Sequence, residues 1–450
     1  MNTLVDAFRN LLALPDLRMR LGITLLALFG YRLGCHVPAP SVNVRALQEF
    51  LNASGGGVFG LVDLFSGGAL SKFSVFALGI MPYISMSIIM QLMTTVIPQL
   101  EALNKEGEMG RRKINQWTRY LTVVLCIIQA GATTTFLRNL PPSAQFGPIL
   151  PEWNMGVAIL LVLTLTTGTV LLMWVGEQVT EHGIGNGISL LIFAGIVSRI
   201  PFEMRSTLKM VQVGEVGLAT LGVFVVVMVA MTGLAVVTQQ AHRKIPVQYP
   251  QRTRAGFPAM GGVSTSLPLK VDYSGVIAVI FASSLLMLPT MMLRMTIRES
   301  EDTPIQRTLR LIMDYFSQGT TAYEAAYGAL VVFFCYFYTA VIFNPVDVAE
   351  NMKKFGGFVP GIRPGPSTAE HIDHVLTRIT LLGAAGVVII AIVPEQMATA
   401  MRIPFYFGGT TLLITVGVAL DTLKQLESHL LMHHYEGFMK KAKLQGRMPY

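Results

Sequence analysis

Two groups of histidines have spacings that could bind a metal ion. Asp373 lies between His371 and His374, and His429 precedes His433 by four residues, about one helical turn. A zinc site needs at least a third ligand held by its own structural context, and no such ligand accompanies either pair. We therefore predict no metal and no cofactor, and we interpret these histidines as solvated loop and tail residues.

The motifs of common hydrolases do not occur in the sequence. The stretch "GEMGRRKI", from Gly107, lacks both the spacing of a phosphate loop and the Ser or Thr that binds magnesium. Neither H-E-x-x-H nor G-x-S-x-G is found. We predict that the chain is not an enzyme and does not itself hydrolyse ATP.

The composition is that of an integral membrane protein. Of 450 residues, 52% are hydrophobic and 13% are charged, and the mean hydropathy is +0.55. An ordinary soluble protein has about a quarter charged residues. The three cysteines, Cys35, Cys126 and Cys335, are far apart, which indicates packing residues rather than a disulfide framework.

Ten apolar runs have the length of about 17 to 25 residues that crosses a bilayer. They cover residues 21–38, 74–97, 118–137, 155–175, 184–200, 216–238, 273–293, 322–343, 378–394 and 404–423. Ten spans place both termini on one side, and that side carries 22 of the 34 lysines and arginines. Both ends are therefore predicted to be cytoplasmic.

An all-α membrane protein with five spans in each half is the predicted fold, and an odd number per half would invert one half relative to the other. The predicted organisation is an amphipathic basic segment at 1–20, an N-terminal half at 21–200, a C-terminal half at 201–424 and a cytoplasmic tail at 425–450. The N-terminal segment shows no cleavage site and is expected to be retained.

The stretch "VFGLVDLFSGGALSKF", from Val58 to Phe73, is apolar but too short to cross a membrane, and Gly67 and Gly68 interrupt it. Broken backbone at membrane depth is tolerated where it is buried in protein or faces water, which favours a re-entrant segment. An amphipathic loop on the outer surface is the alternative.

Two cytoplasmic loops, at about 239–272 and 344–377, are candidate docking surfaces. From Gln239 to Val271 the first has five basic residues and no acidic residue, which suits a polyanion or an acidic partner. The second centres on "PGIRPG", a turn that presents Arg363. Positive-inside topology alone is the alternative explanation for these charges.

Beyond the first span, the apolar runs carry charges almost only at their ends, at Glu177, Glu181 and Asp421. An ion-coupled secondary transporter would need an intramembrane charge or ion ligands, and an intramembrane protease would need a catalytic pair. The isoleucines, small residues and amides inside the runs instead favour a pore that closes by apolar contact.

Five stretches resemble the SecY family, the channel subunits of the bacterial preprotein translocase. They are "LFSGGALSKFSVFALGIMPYISMSIIMQL", "EGEMGRRKINQWTRY", "GEQVTEHGIGNGISLLIFAGI", "FYTAVIFNPVDVAENMKKFGGFVPGIRPG" and "IPFYFGGTTLLI". The resemblance covers nearly the whole chain, in order. It implies a channel that moves unfolded secretory polypeptides across the inner membrane and releases hydrophobic segments sideways into the lipid.

The resemblance further implies an hourglass pore between two pseudo-symmetric halves, an apolar ring at its waist and a plug at about 60–73. The implied ring residues are Ile80, Ile84, Ile192, Ile277 or Ile280, and Ile414. The implied plug residues are Asp63, Leu64, Phe65, Ser66, Gly67, Gly68 and Leu70. Ile80 and Ile84, four residues apart, would project from one helix face.

A lateral gate between the second and third spans of one half and the seventh and eighth of the other is also implied. Gln91 resembles the polar residue of this gate, and Ser87 lies one turn before it; ordinary helix packing is the alternative for Gln91. Arg252, Arg254 and Arg363 match loop positions that contact the ribosome or the SecA motor ATPase. The implied partners are SecE, SecG, signal-peptide-bearing polypeptides and anionic lipid.

Overall fold

The computed structural model describes residues 15–53, 63, 66–140, 146–249, 264–296, 320–401 and 408–445. The chain divides into two compact units. The first unit contains residues 1–208, 289–310 and 418–450, and the second contains residues 209–288 and 311–417.

The first unit is helical in its described part. Its helices pack in sequence order, with α3 against α5, α5 against α6, and α6 against both α1 and α3. The elements are α1 (Pro15–Gly34), α2 (Val44–Ala53), α3 (Met81–Val96), α4 (Pro98–Lys105), α5 (Glu108–Asn139), α6 (Met155–His182) and most of α7 (Gly187–Val213).

The second unit combines helices with a two-stranded sheet. Its helix α12 packs against α8, α10 and α11 and so forms the centre of the unit. The elements are α8 (Leu218–Gln240), β1 (His242–Gln248), β2 (Ser264–Lys270), α9 (Val276–Thr296), α10 (Thr321–Ile342), α11 (Pro345–Lys354), α12 (Pro366–Ala400) and the first turns of α13 (Gly409–Gln445).

Within the described ranges, six helical segments are long and apolar enough to cross a membrane, and a seventh results if α3 and α4 are one broken span. The six are Glu108–Arg138, Met155–His182, Gly187–Val213, Leu218–Gln240, Thr321–Lys354 and Pro366–Ala400. The chain is thus a multi-pass helical membrane protein, as the sequence predicts. The count of ten spans stays a prediction.

The second predicted span, 74–97, differs from the observed helix. Residues 74–80 form turns, and α3 begins only at Met81. Gly79 has a left-handed φ of +61°, which interrupts a helix, and Pro82 lies at the helix start, where its missing N–H costs nothing. At the other end, Pro98 keeps Ile97 extended, and α4 leaves α3 at an angle of 98°.

The first predicted cytoplasmic loop, expected as a projecting docking surface in an all-α fold, contains an antiparallel hairpin. Strands β1 and β2 pair from His242 with Lys270 to Gln248 with Ser264. Ile245 and Val247 are buried, whereas their neighbours on β1 are exposed, as expected for a strand with one face on a core. This short alternation in "HRKIPVQ" was the available sequence signal for the hairpin.

Helix α13 continues without a break across residues 424 and 425, where the cytoplasmic tail was predicted to begin. Leu426 and Leu430, one turn apart, pack against the buried Leu17 and Ile184 of the first unit. The start of the predicted tail is therefore part of a hydrophobic cluster, because its leucines recur at helical spacing.

Candidate functional site

The described part of the predicted plug, Asp63 and Ser66–Phe73, is a compact turn structure. The amide of Gly68 donates to the carbonyl oxygen of Asp63 at 2.8 Å, and the amide of Ser71 donates to its Oδ1 at 2.7 Å. The Ser66 hydroxyl also donates to the Asp63 carbonyl, at 3.1 Å. Asp63 thus organises the turn. Leu64 and Phe65 lie outside the described residues.

Helix α1 holds the backbone of this turn. The Tyr31 hydroxyl donates to the carbonyl of Ser66 at 3.0 Å, and Arg32 Nη1 donates to the carbonyl of Gly67 at 2.6 Å. These donors satisfy carbonyl groups that the turn geometry leaves without helical partners, as buried backbone requires.

Helix α7 also contacts the turn. The guanidinium of Arg199 forms an ion pair with Asp63, and the side chains are only 18% and 8% exposed. A Cβ placed on Gly67 would lie 2.8 Å from Gly195 Cα, so the two backbones touch. Gly67 also has a left-handed φ of +68°. Glycine is required at Gly67 for both reasons.

The predicted ring residues are apolar positions in both units. In the first unit, Ile80, Ile84 and Ile192 are 4%, 7% and 3% exposed. In the second, Ile414 is fully buried, Ile280 is half-buried and Ile277 is 42% exposed. Gly79, the residue before Ile80, lies beside the plug turn, because a Cβ placed on it would be 3.4 Å from Ser66 Cβ.

The predicted gate residues Ser87 and Gln91 lie on α3 and are half-buried. The hydroxyl of Thr94 donates to the backbone carbonyl of Gln91 at 2.7 Å. Helix α3 packs against α5, which corresponds to the predicted third span. Both residues are thus on a helix, and their place in a lateral gate stays a prediction.

The two predicted docking loops form one folded module in the second unit. The amide of Phe358 donates to the carbonyl of Gln248 at 3.0 Å, and the amide of Gln248 donates back at 2.9 Å, so the second loop extends the hairpin. Ile245, Val247, Leu269, Met352, Val359 and Ile372 form a common core. We refer to this structure as the loop module.

Exposed basic side chains surround the loop module. Arg363 is exposed, and its carbonyl accepts a hydrogen bond from the Thr368 hydroxyl at 2.8 Å, at the start of α12. The other exposed cations are Arg243, Lys244, Lys270, Lys353 and Lys354. Arg252 and Arg254 lie outside the described residues.

Asp272 joins the loop module to α9. Its Oδ1 accepts hydrogen bonds from the Ser274 hydroxyl at 2.7 Å and the Gly275 amide at 2.8 Å, which hold the turn that precedes α9. Burial raises the pKa of the Asp272 carboxyl, although these hydrogen bonds act in the opposite direction.

The "GIGNG" stretch, Gly183–Gly187, joins α6 to α7 and contacts α1 and α13. The amide of Ile184 donates to Thr24 Oγ1 at 3.1 Å, and the amide of Gly185 donates to Gln425 Oε1 at 2.8 Å. A Cβ on Gly187 would lie 2.0 Å from the Gly176 carbonyl oxygen. The glycines therefore permit close backbone packing between α6 and α7.

Sequence reasoning missed Arg199, Glu203 and Arg32 as site residues. Arg199 closes the fifth apolar run and so was available as a charge at membrane depth, which is a general indicator of function. Its partner Asp63 is 136 residues away, and no local pattern connects them. In the described part of the chain, no three His, Cys, Asp or Glu side chains are grouped as metal ligands would be.

These elements define a multi-pass helical membrane protein that keeps a short non-spanning segment folded against its helices. The SecY family model matches residues 74–423. "Protein translocase subunit SecY" of Aquifex aeolicus (strain VF5) is 42% identical over 437 residues, covering 97% of this chain and 100% of that protein. The protein of the same description from Escherichia coli (strain K12) is 44% identical over 436 residues, covering 96% of each chain.

This chain belongs to the SecY family of protein translocase subunits. Its function is therefore that of a protein translocation channel and not of an enzyme, and the alternative of an ion-coupled transporter finds no support.

Solved structures confirm the fold. One, described as "The plug domain of the SecY protein stablizes the closed state of the translocation channel and maintains a membrane seal", matches with a TM-score of 0.60 at 18% identity, covering 91% of this chain and 92% of that chain. Another, "Sec61 in the Canine ribosome-channel complex from the endoplasmic reticulum", matches with a TM-score of 0.60 at 17% identity and the same coverage.

Proposed function

We propose that the chain forms the polypeptide-conducting pore of a bacterial inner-membrane translocase, with ten spans and both termini in the cytoplasm. Residues 60–73 are the plug of its closed state. One observation carries this proposal: a segment too short to span is bonded to α1 and α7 and lies beside Gly79, the residue before Ile80. A structural neighbour whose description names a plug domain that stabilises the closed channel supports this proposal.

The constriction of the pore is a ring of isoleucines from both halves of the chain. Its members are Ile80, Ile84, Ile192, Ile277 or Ile280, and Ile414. Aliphatic side chains of this kind form a dry constriction that ions cross poorly, yet a polypeptide segment can push them aside. The burial of Ile80, Ile84 and Ile192 supports this role.

Hydrophobic segments leave the pore sideways through a lateral gate that includes Ser87 and Gln91. Lipid solvates such segments well, and a polar contact between gate helices would set how readily the gate parts. The half-buried placement of both residues on α3 supports this proposal.

The loop module is the docking surface for a cytoplasmic motor or the ribosome. Its exposed cations suit ribosomal RNA or acidic protein surfaces, and a structural neighbour is described in a ribosome–channel complex. Arg252, Arg254 and Arg363 take part in these contacts. The partners that complete the particle are SecA, SecE, SecG, signal-peptide-bearing polypeptides and anionic lipid.

Site-specific photo-crosslinking tests the pore. A photoreactive phenylalanine analogue replaces Ile84, Ile192 or Ile414 in turn, and a secretory polypeptide is arrested during translocation. We expect adducts with the arrested chain at these three positions and none at Val226, which is 68% exposed on α8 and serves as the control. Adducts of equal yield at Val226 would contradict the assignment of the ring.

A further inference from the structure

Arg199 lies on α7 and follows an uncharged stretch of the chain, residues 183–198. It pairs with Asp63, and its Nε is 3.5 Å from Glu203 Oε1. The side chains of all three residues are at most 18% exposed. Charges this far from water are costly unless they are paired, so the three groups form a specific contact rather than a solvated surface pair.

Asp63 uses its two carboxylate oxygens for different purposes. Oδ1 accepts the amide of Ser71 and so closes the turn of the plug itself. Oδ2 faces Arg199 on α7. Loss of Arg199 would therefore remove the ion pair between the turn and α7 without removing the hydrogen bond that shapes the turn.

Gly195, Arg199 and Glu203 follow one another at intervals of four residues, so they lie along one face of α7. Gly195 lets the backbone of Gly67 approach. One turn later Arg199 meets Asp63, and a further turn later Glu203 flanks the guanidinium. The helix face formed by Gly195, Arg199 and Glu203 is therefore complementary to the turn in both shape and charge.

Helix α1 contacts the same turn differently. Tyr31 and Arg32 donate to the carbonyls of Ser66 and Gly67, which any residue would present. Only the α7 contact depends on a charged side chain of the segment. Among these contacts with α1 and α7, the ion pair is therefore the one that requires the side chain of Asp63.

We propose that Arg199 is a positioning residue that holds the plug in its closed-state position through the ion pair with Asp63, with Glu203 orienting the guanidinium. The inference rests on the proposed plug. Because opening of the channel would separate Asp63 from Arg199, the ion pair contributes to the free energy of opening. The variants Arg199→Gln and Asp63→Asn should therefore favour the open channel.

The test measures the conductance of the purified complex in planar bilayers, after size-exclusion chromatography has shown that each variant assembles. We expect Arg199→Gln and Asp63→Asn each to raise the fraction of time open by about tenfold, the effect of one partly buried ion pair. The double variant should exceed neither single variant, because both remove the same contact. Arg199→Lys, which keeps the charge, should restore closure.

Two controls distinguish a specific effect of Arg199 on the plug from a general effect on the structure. Glu101→Gln removes an exposed pair with Lys105, 2.7 Å long and also spaced four residues apart, and should leave conductance unchanged. In a chain that lacks residues 60–73, Arg199→Gln should have no further effect.

Three results would count against the anchor, and they are distinguishable. An equal effect of Arg199→Gln with and without residues 60–73 would show that Arg199 acts on the channel wall. An unchanged conductance of Arg199→Gln in the full chain would reject the ion pair as an anchor. Silence after deletion of residues 60–73 would overturn the proposed plug, and the anchor with it.

Discussion

At the scale of single residues, Gly67 and Gly68 have the same backbone conformation but differ in how closely other atoms pack against them. Gly67 and Gly68 both have left-handed φ, at +68° and +83°. A Cβ on Gly67 would meet Gly195 at 2.8 Å, whereas a Cβ on Gly68 would find nothing within 4 Å. An alanine would therefore strain the backbone at both positions, but it would clash with a neighbouring residue only at Gly67.

We expect Gly67→Ala to hold the channel open about tenfold more often than Gly68→Ala, since overpacking costs about 1–3 kcal/mol. Single-channel recording of the two variants measures the difference. Equal open fractions would mean that the contact between Gly67 and Gly195 does not stabilise the closed state.

The residue scale also shows where the sequence is informative. The family resemblance predicts Ile80, Ile84 and Ile192 as ring residues; their side chains are buried, and the ring itself stays a prediction. The pairing of Arg199 with Asp63 could not be predicted in the same way. It depends on a tertiary contact between distant segments, for which periodicity carries no information.

At the scale of elements, apolar runs predict the helices well and their ends less well. Residues 155–175 fall within α6, and all but the last residue of the run 322–343 fall within α10; neither helix contains a proline. The run 74–97 instead contains Gly79 and Pro82, which delay the start of α3 until Met81. A hydropathy window averages over such residues, although their backbone preferences decide where the helix begins.

The loop module is predicted to unfold locally as one unit. Leu269 is fully buried in its core, and Ser266 on the same strand is exposed. Leu269→Ala should lower the local stability by about 2 kcal/mol or more, since it leaves a cavity, whereas Ser266→Ala should have little effect.

Hydrogen–deuterium exchange of the detergent-solubilised complex measures this difference. Exchange should accelerate at residues 242–248 and also at Phe358, because the Phe358 amide donates to Gln248. Faster exchange of β1 with unchanged exchange at Phe358 would show that the two loops are stabilised independently.

At the scale of the whole molecule, composition alone identifies a membrane protein, and the order of five motifs identifies the family. The family assignment is confirmed over residues 74–423 and by relatives that match nearly the full length. The number of spans, the ring and the lateral gate stay predictions. They depend on how two halves of the chain meet, which is a long-range property that no local segment encodes.

The central claim is that a short segment seals a polypeptide pore, and single-channel conductance tests it most directly. The purified complex is compared in planar bilayers with and without residues 60–73. We predict that the intact channel is silent and that the deletion variant opens frequently to ions. Absence of conductance in both forms, together with saturable uptake of a small solute, would contradict the account.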